Sequence, residues 1–323
     1  MEDMSELSTD TLRSSVDISK LSTEKRNNRT MQLDEMTPYE IISIMNEEDH
    51  KVVEAVRQAL PQIEKTIQWT TASLQAGGRI LYVGAGTSGR IGILDAVECP
   101  PTFGVSYNVV VGVIAGGQEA FVKAREGAED SPELGRQDLQ EHRLTDKDVV
   151  IGLAASGRTP YVIGALRYAR ELGCRTVSIS NNENAPVSAE AELAIELLTG
   201  PEVLTGSTRL KAGTAEKMVL NMISTASMVG IGKVYENLMV DVRQSNEKLV
   251  IRSENIVMEA VGCSREEARK NLKEAGGKTK LAITKLLLGC DVDAEEECLR
   301  QAGEKVKAAI AKRSKQQAAD AGK

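Results

Sequence analysis

The sequence predicts an α/β protein: a five-stranded, mostly parallel sheet flanked by helices, followed by a small C-terminal helical bundle. Three observations carry this. Short apolar runs bounded by turn residues alternate with helical patterns through the middle of the chain. Two of those runs open directly into glycine- and hydroxyl-rich turns that begin a helix. From Ser253 onward only helical periods remain.

Taken in order, residues 1–30 are rich in Ser, Thr, Asp and Glu and lack a periodic apolar face, so they read as a mobile segment. Thr37, Pro38 and Glu40 form a helix start, with Ile41, Ile42, Ile44 and Met45 as its apolar face. A second helix is expected over about 49–75, ended by Gly77-Gly78. Ile80 to Val83 is the first strand, and the helix after it is expected to stop at Glu98-Cys99-Pro100-Pro101. Val109 to Ala115 is the second strand, with a helix over about 118–127. Asp148 to Ala154 is the third, followed by a helix from Tyr161 to Leu172. Thr176 to Ser180 and Leu193 to Leu198 are the fourth and fifth. A long helix covers about 214–231. The bundle occupies 251–313, with Ser264 and Glu267 as a capping pair and one last helix over about 293–313. Residues 314–323 read as a polar tail. The sheet domain thus spans 31–250. No internal repeat is visible.

Both hydroxyl-rich turns, Gly84-Ala85-Gly86-Thr87-Ser88-Gly89-Arg90 and Ala155-Ser156-Gly157-Arg158-Thr159-Pro160, follow strands and precede helices. Ligands of open parallel sheets bind at the C-terminal strand edge, where helix N-termini present unpaired N–H groups and partial positive charge. Ser and Thr also belong at ordinary helix caps. Two such turns on one edge favour a phosphate site, with Thr87, Ser88, Ser156, Arg158 and Thr159 as its binding residues. Gly84, Gly86 and Gly89 also satisfy the dinucleotide fingerprint, but the second strand has no acidic residue at its tip to hold a ribose.

Composition narrows the chemistry. A chain 41% hydrophobic can build an ordinary core, and a net charge of −7 argues against nucleic acid as a partner. Aromatics at 3% leave little to stack on bases. Five cysteines with no C-x-x-C spacing fit a reduced compartment and no zinc cluster. The two histidines sit in polar surroundings, so proton transfer falls to Glu, Asp, Lys or Tyr. There is no secretory signal pattern and no membrane-length apolar run. A cytoplasmic protein that does not bind membrane is expected.

The segments GAGTSGR, ECPPTFG, EGAEDS, ASGRTPY and TRLKAGTAEK together resemble the N-acetylmuramic acid 6-phosphate etherases, from about Leu21 into the C-terminal bundle. The two SGR turns alone mark only the broader sugar isomerase (SIS) fold. A relative, the glucokinase regulatory protein, carries two such domains and no catalysis; one sheet domain here favours the enzyme.

The resemblance implies cleavage of a lactyl ether, giving N-acetylglucosamine 6-phosphate and D-lactate in cell-wall recycling and amino sugar catabolism. It places the catalytic glutamates on Glu98 of ECPP and Glu129 of EGAED. It needs no metal or cofactor, and it implies a homodimer. By its residue type alone, Lys211 reads either as a surface lysine or as a substrate-binding group that steadies an anionic intermediate. In the ring-opened sugar the C2 proton is α to an aldehyde and the ether oxygen is on C3, so a base and an acid suffice. Two carboxyl groups whose environments push their pKa values apart can supply both. Glu98, read as a helix C-terminal residue, is assigned the acid role on dipole grounds. Two other functions stand beside this one: an aldose–ketose sugar-phosphate isomerase, and a non-catalytic sugar-phosphate sensor. ECPPTFG and EGAED speak against the first. The second needs a reading or partner module, and the bundle has no basic recognition helix; it resembles a small ubiquitin-associated-type module.

Overall fold

A computed structural model describes residues 21–321 apart from 124, 126, 243–246, 290 and 291. The mobile segment expected at the N-terminus falls partly outside the described residues. Its last part, 21–30, does not float. Ser22 donates its backbone N–H to Asn182 Oδ1 at 2.7 Å, and Thr30 Oγ1 donates to the Val203 carbonyl at 2.8 Å. Thr23 and Thr30 are buried. The segment is a strap laid over the loops after the fourth and fifth strands, and hydrogen bonding rather than an apolar face holds it there.

Helix α1 (Pro38–Gln58) begins at the expected capping box on Thr37 and Glu40. It then runs unbroken through the expected helix boundary near residue 48. The break falls instead at Ala59, before α2 (Leu60–Gln75). Pro61 explains this: it lacks an N–H for the preceding turn and disfavours helical backbone at Leu60.

Strands β1 (Ile80–Gly84), β2 (Val110–Ile114), β3 (Val149–Leu153), β4 (Arg175–Ser180) and β5 (Leu193–Glu196) form one sheet in the order β2-β1-β3-β4-β5. Every pairing is parallel. Both faces are covered, which is why the strands read as continuous apolar runs. Side chains alternate: Ile80 and Tyr82 enter one core with α1, α2, α3 and α8, while Leu81 and Val83 enter the other, opposite face.

Helix α3 (Gly86–Phe103) corrects the expected stop. Pro100 and Pro101 lie inside it, and it ends only at Gly104, whose φ of 67° supplies a left-handed cap. Proline so close to a helix end removes few hydrogen bonds, and the Gly104 N–H closes on the Pro100 carbonyl at 3.0 Å.

After β2, α4 is shorter than expected (Glu119–Val122). A 3-10 turn (Ala128–Asp130) and α5 (Pro132–Glu141) follow in a stretch where no element was expected. Helix α6 (Pro160–Glu171) follows β3, α7 (Pro186–Glu190) follows β4, and α8 (Lys211–Gly230) follows β5.

A two-stranded antiparallel hairpin, β6 (Val234–Tyr235) and β7 (Leu238–Met239), leads into the bundle. The bundle contains α9 (Glu247–Val261), α10 (Arg265–Glu274), α11 (Thr279–Leu288), α12 (Val292–Gln301) and α13 (Val306–Ala321). Tyr235, Val240 and Val257 share its core with Leu272, Ile283 and Leu299. The expected last helix is two, divided at Gly303 with φ 62°. The expected polar tail is a continuation of α13 to Ala321.

Candidate active site

The strand order reverses direction between β1 and β3. That crevice, at the carboxyl ends of the strands, is the ligand position in doubly wound sheets. Both hydroxyl-rich turns flank it: residues 84–90 follow β1, and residues 155–160 follow β3. The first turn depends on close approach of strand and helix. A Cβ on Gly84 would lie 2.7 Å from the Gly89 nitrogen, and one on Gly89 2.8 Å from the Gly84 oxygen. The second depends on Gly157, with φ 73°, where a Cβ would lie 2.3 Å from that of Ala185.

Neither turn spends its hydroxyls on capping. The N-cap of α3 is Ala85, which has no side-chain donor or acceptor. The N-cap of α6 is Thr159, and its side chain makes no cap hydrogen bond. Ser156 Oγ accepts from the Arg158 N–H at 3.3 Å. Thr87, Ser156, Arg158 and Thr159 are all half-buried at the crevice. In α3 the Gly89 N–H already closes on Ala85, so the N–H groups of Gly86, Thr87 and Ser88 are the unpaired donors of the first turn.

Ser88 is buried, and its Oγ lies 3.0 Å from Glu216 Oε1. Glu216 was not found from the sequence; a Glu beside an exposed Lys217 on a long helix reads as solvated. It is wholly buried in α8, and burial pushes its carboxyl up to about 8 against the opposing pull of Ser88. Asn182 was also missed. Its Nδ2 donates to the Ala155 and Ser156 carbonyls at 3.2 Å, and its Oδ1 accepts from the strap. It thereby sets the backbone of the second turn. The tandem Asn181-Asn182 after a strand is the only signal the sequence offered.

Lys211 sits elsewhere than expected. Its Nζ is 2.7 Å from Glu48 Oε2, and both side chains are buried. Burial pushes the Glu48 carboxyl up, but hydrogen bonds from Lys211, Lys51 and Arg29 outweigh it and hold the group down to about 2. The Lys211 ammonium therefore neutralises a buried carboxylate that ties α1 to the start of α8. Lys211, expected from the sequence either as a surface lysine or as an anion-steadying group, is thus engaged by Glu48. Arg90 is likewise occupied, donating to the carbonyls of Ala120 and Phe121 at the end of α4.

The two glutamates lie at different places. Glu129 is exposed on the 3-10 turn beside α6. Ala128 next to it is buried in one cluster with Ala115 and Ala154, the residues that follow β2 and β3. The turn is fixed by α5, which meets α6 backbone to backbone: a Cβ on Gly135 would lie 2.0 Å from the Tyr161 oxygen. Glu129 thus shares the strand edge with the Ser156 turn.

Glu98 is exposed on α3, twelve residues beyond Gly86, roughly 18 Å along the axis at the α-helical rise of about 1.5 Å. It lies toward the opposite edge of the sheet, on one helix face with the exposed apolar side chains of Leu94 and Val97. It is not a helix C-terminal residue, so the dipole argument for its acid role does not hold. One turn earlier, Asp95 is buried and accepts from Tyr82, Asn221 and Ser224.

Comparison with known proteins follows the same outline. Residues 62–170 match the glucokinase regulatory protein N-terminal SIS domain, and residues 133–226 match the SIS domain. The chain is 59% identical over 271 residues to N-acetylmuramic acid 6-phosphate etherase of Bacillus mycoides (strain KBAB4), covering 84% of this chain and 92% of that one. The etherase of Halalkalibacterium halodurans is 57% identical over 270 residues, covering 84% and 91%. That of Lactococcus lactis subsp. lactis (strain IL1403) is 59% identical over 268 residues, covering 83% and 90%.

Proposed function

The chain belongs to the N-acetylmuramic acid 6-phosphate etherase family, a family of carbon–oxygen lyases on the SIS fold, and from that premise we propose how it works. The substrate is N-acetylmuramic acid 6-phosphate, and the products are N-acetylglucosamine 6-phosphate and D-lactate. One carboxylate takes the C2 proton of the open-chain aldehyde. The C3–O bond then breaks as a carboxylic acid gives its proton to the leaving lactate oxygen. Water adds to the unsaturated aldehyde at C3, and a proton returns to C2. Glu98 and Glu129 are the proposed pair, with Thr87, Ser88, Ser156, Arg158 and Thr159 at the 6-phosphate.

The observation that carries the phosphate assignment is the placement of two uncapped hydroxyl turns on neighbouring strands at the crevice. Its test is direct. Incubation with the phosphorylated substrate releases D-lactate. Replacing Ser156 and Thr159 together by alanine raises KM by an order of magnitude or more, since hydrogen bonds to a charged group contribute about 1.5–3 kcal/mol each. An unchanged KM in that variant removes the phosphate assignment.

The working unit in this reading is a homodimer in the cytoplasm. Two features support the dimer. An apolar groove of about 690 Å³ lies between α2 and α8, lined by Leu60, Ile63, Ile67, Met222 and Val229. The distance of Glu98 from its own α3 N-terminus exceeds what one hexose phosphate spans. In the proposed dimer, Glu98 of the partner subunit would complete the site, borne on the α3 face that exposes Leu94 and Val97. No helix among the described residues is long and apolar enough to cross a membrane.

A further inference from the structure

The pair formed by Ser88 and Glu216 has a proton to place. Glu216 is wholly buried, and among the described residues no cation pairs with it. Its Oε1 is 3.0 Å from Ser88 Oγ, and its Oε2 is buried without a hydrogen-bond partner. The charged groups of the elements packed around it are engaged or turned to water. On α1, Glu48 holds Lys211. On α3, Asp95 is held by Tyr82, Asn221 and Ser224, Arg90 by backbone carbonyls, and Glu98 is exposed. On α2, Glu64 and Lys65 are exposed, as is Lys217 on α8 itself.

An ionised carboxylate left there would be an uncompensated buried charge, so the group is the neutral acid. A neutral acid has one O–H, and a buried O–H needs an acceptor. If the proton sat on Oε2 it would have none. On Oε1 it meets Ser88 Oγ, and the oxygen left unpaired is the carbonyl oxygen, the less costly orphan. The Ser88 hydroxyl then accepts from Glu216 and its own hydrogen is released from the pair. Among the described residues Ser88 Oγ has no other partner. It stands in the first turn of α3, beside the unpaired N–H groups of Gly86, Thr87 and Ser88, and the residue is 7% exposed.

We infer that Glu216 is a positioning residue: as a neutral acid it donates to Ser88 Oγ and turns the Ser88 hydroxyl hydrogen toward the anionic group of the substrate. This rests on the reading that the α3 turn binds the sugar phosphate. Ionisation of Glu216 reverses the pair. Ser88 must then donate inward to the carboxylate, the crevice loses a donor, and a buried negative charge faces the ligand anion. Glutamine at this position keeps the shape and donates an N–H at every pH.

The experiment is the pH dependence of KM and kcat for N-acetylmuramic acid 6-phosphate between pH 6.5 and 9.5, in the wild type, E216Q and S88A. The phosphate monoester, with its second pKa near 6, is already a dianion through the upper part of this range. Wild-type KM is expected to rise several-fold as pH passes through about 8 while kcat changes less. E216Q is expected to keep the neutral-pH KM throughout, and S88A to show a raised KM at all pH values. A flat wild-type KM profile, which needs no variant to fold, overturns the proposal. So does an E216Q profile with the same alkaline rise as wild type. If S88A instead binds substrate as wild type does, the phosphate reading of the α3 turn fails, and that outcome is distinct from a failure of Glu216 alone.

Discussion

A buried carboxyl group without a cation carries a cost that depends on pH, and Glu216 makes that cost measurable. In the native protein burial holds its carboxyl up to about 8, against an ordinary value of 4.5. Between those values the folded state binds a proton that the unfolded state has released, so stability falls as pH rises. The stabilising contribution is full below about 4.5 and gone above about 8. E216Q does not titrate. Urea denaturation from pH 4.5 to 9 is expected to show the variant gaining on wild type across that window, by at most about 1.4 kcal/mol per pH unit, and levelling beyond it. Parallel profiles would place the wild-type carboxyl in ordinary solvent. The sequence hides this residue because helical burial is decided by what crosses the helix. The contact with Ser88 comes from α3, more than a hundred positions away in the chain. Lys211 shows the converse. Its type and place in TRLKAGTAEK suggest an anion site, but its partner Glu48 belongs to α1, in a stretch that reads as an exposed helix face.

At the scale of elements, the strands were legible because a sheet covered on both faces demands apolar side chains at every position. Ile80, Leu81, Tyr82 and Val83 meet that demand in alternation. The ends and breaks of helices were less so. Pro61 breaks a helix and Pro100-Pro101 do not; the difference is position, since Pro61 falls in mid-run and the pair falls in the last turn before Gly104. Helix α5 was invisible because only two of its ten residues, Gly135 and Leu139, are buried, too few for an apolar period. The second hydroxyl turn was legible, and Gly157 holds its shape. An alanine there meets both a φ of 73° and the Ala185 side chain. G157A is expected to cost about 1–3 kcal/mol of stability, read by thermal or urea denaturation, and to raise KM by displacing Ser156 and Thr159. Wild-type stability and KM in G157A would mean that the turn has room the structure does not show.

For the whole molecule, the sequence contained the pair of turns and both glutamates. The helix expected from the first turn to Glu98 already separates those two by roughly 18 Å; what the sequence did not contain is where Glu129 lies relative to that helix. In the proposed dimer that distance divides Glu98 and Glu129 of one site between two copies. It yields an expectation for mixed dimers: E98Q and E129Q homodimers are each inactive. After subunit exchange, half of a random mixture is heterodimer, and each heterodimer holds one intact site. Recovery toward about a quarter of wild-type activity is expected for this two-fold arrangement. Solution scattering at micromolar concentration is expected to give a dimer mass. Exchange without recovery would mean that Glu98 and Glu129 act within one protomer, or that one of them does not act.

The central claim is that carbanion formation at C2 and loss of lactate from C3 are carried by these two carboxyl groups. Reaction of N-acetylmuramic acid 6-phosphate in deuterated water, followed by NMR of the sugar and assay of D-lactate, tests it most directly. The wild type is expected to release D-lactate and to leave deuterium at C2 of N-acetylglucosamine 6-phosphate. Of E98Q and E129Q, one is expected to exchange the C2 proton of the substrate while releasing almost no lactate, which marks it as the variant lacking the acid. The other is expected to lose exchange and product together, which marks it as lacking the base. Lactate release at the wild-type rate from both variants, or product without deuterium at C2, would contradict the two-carboxylate elimination.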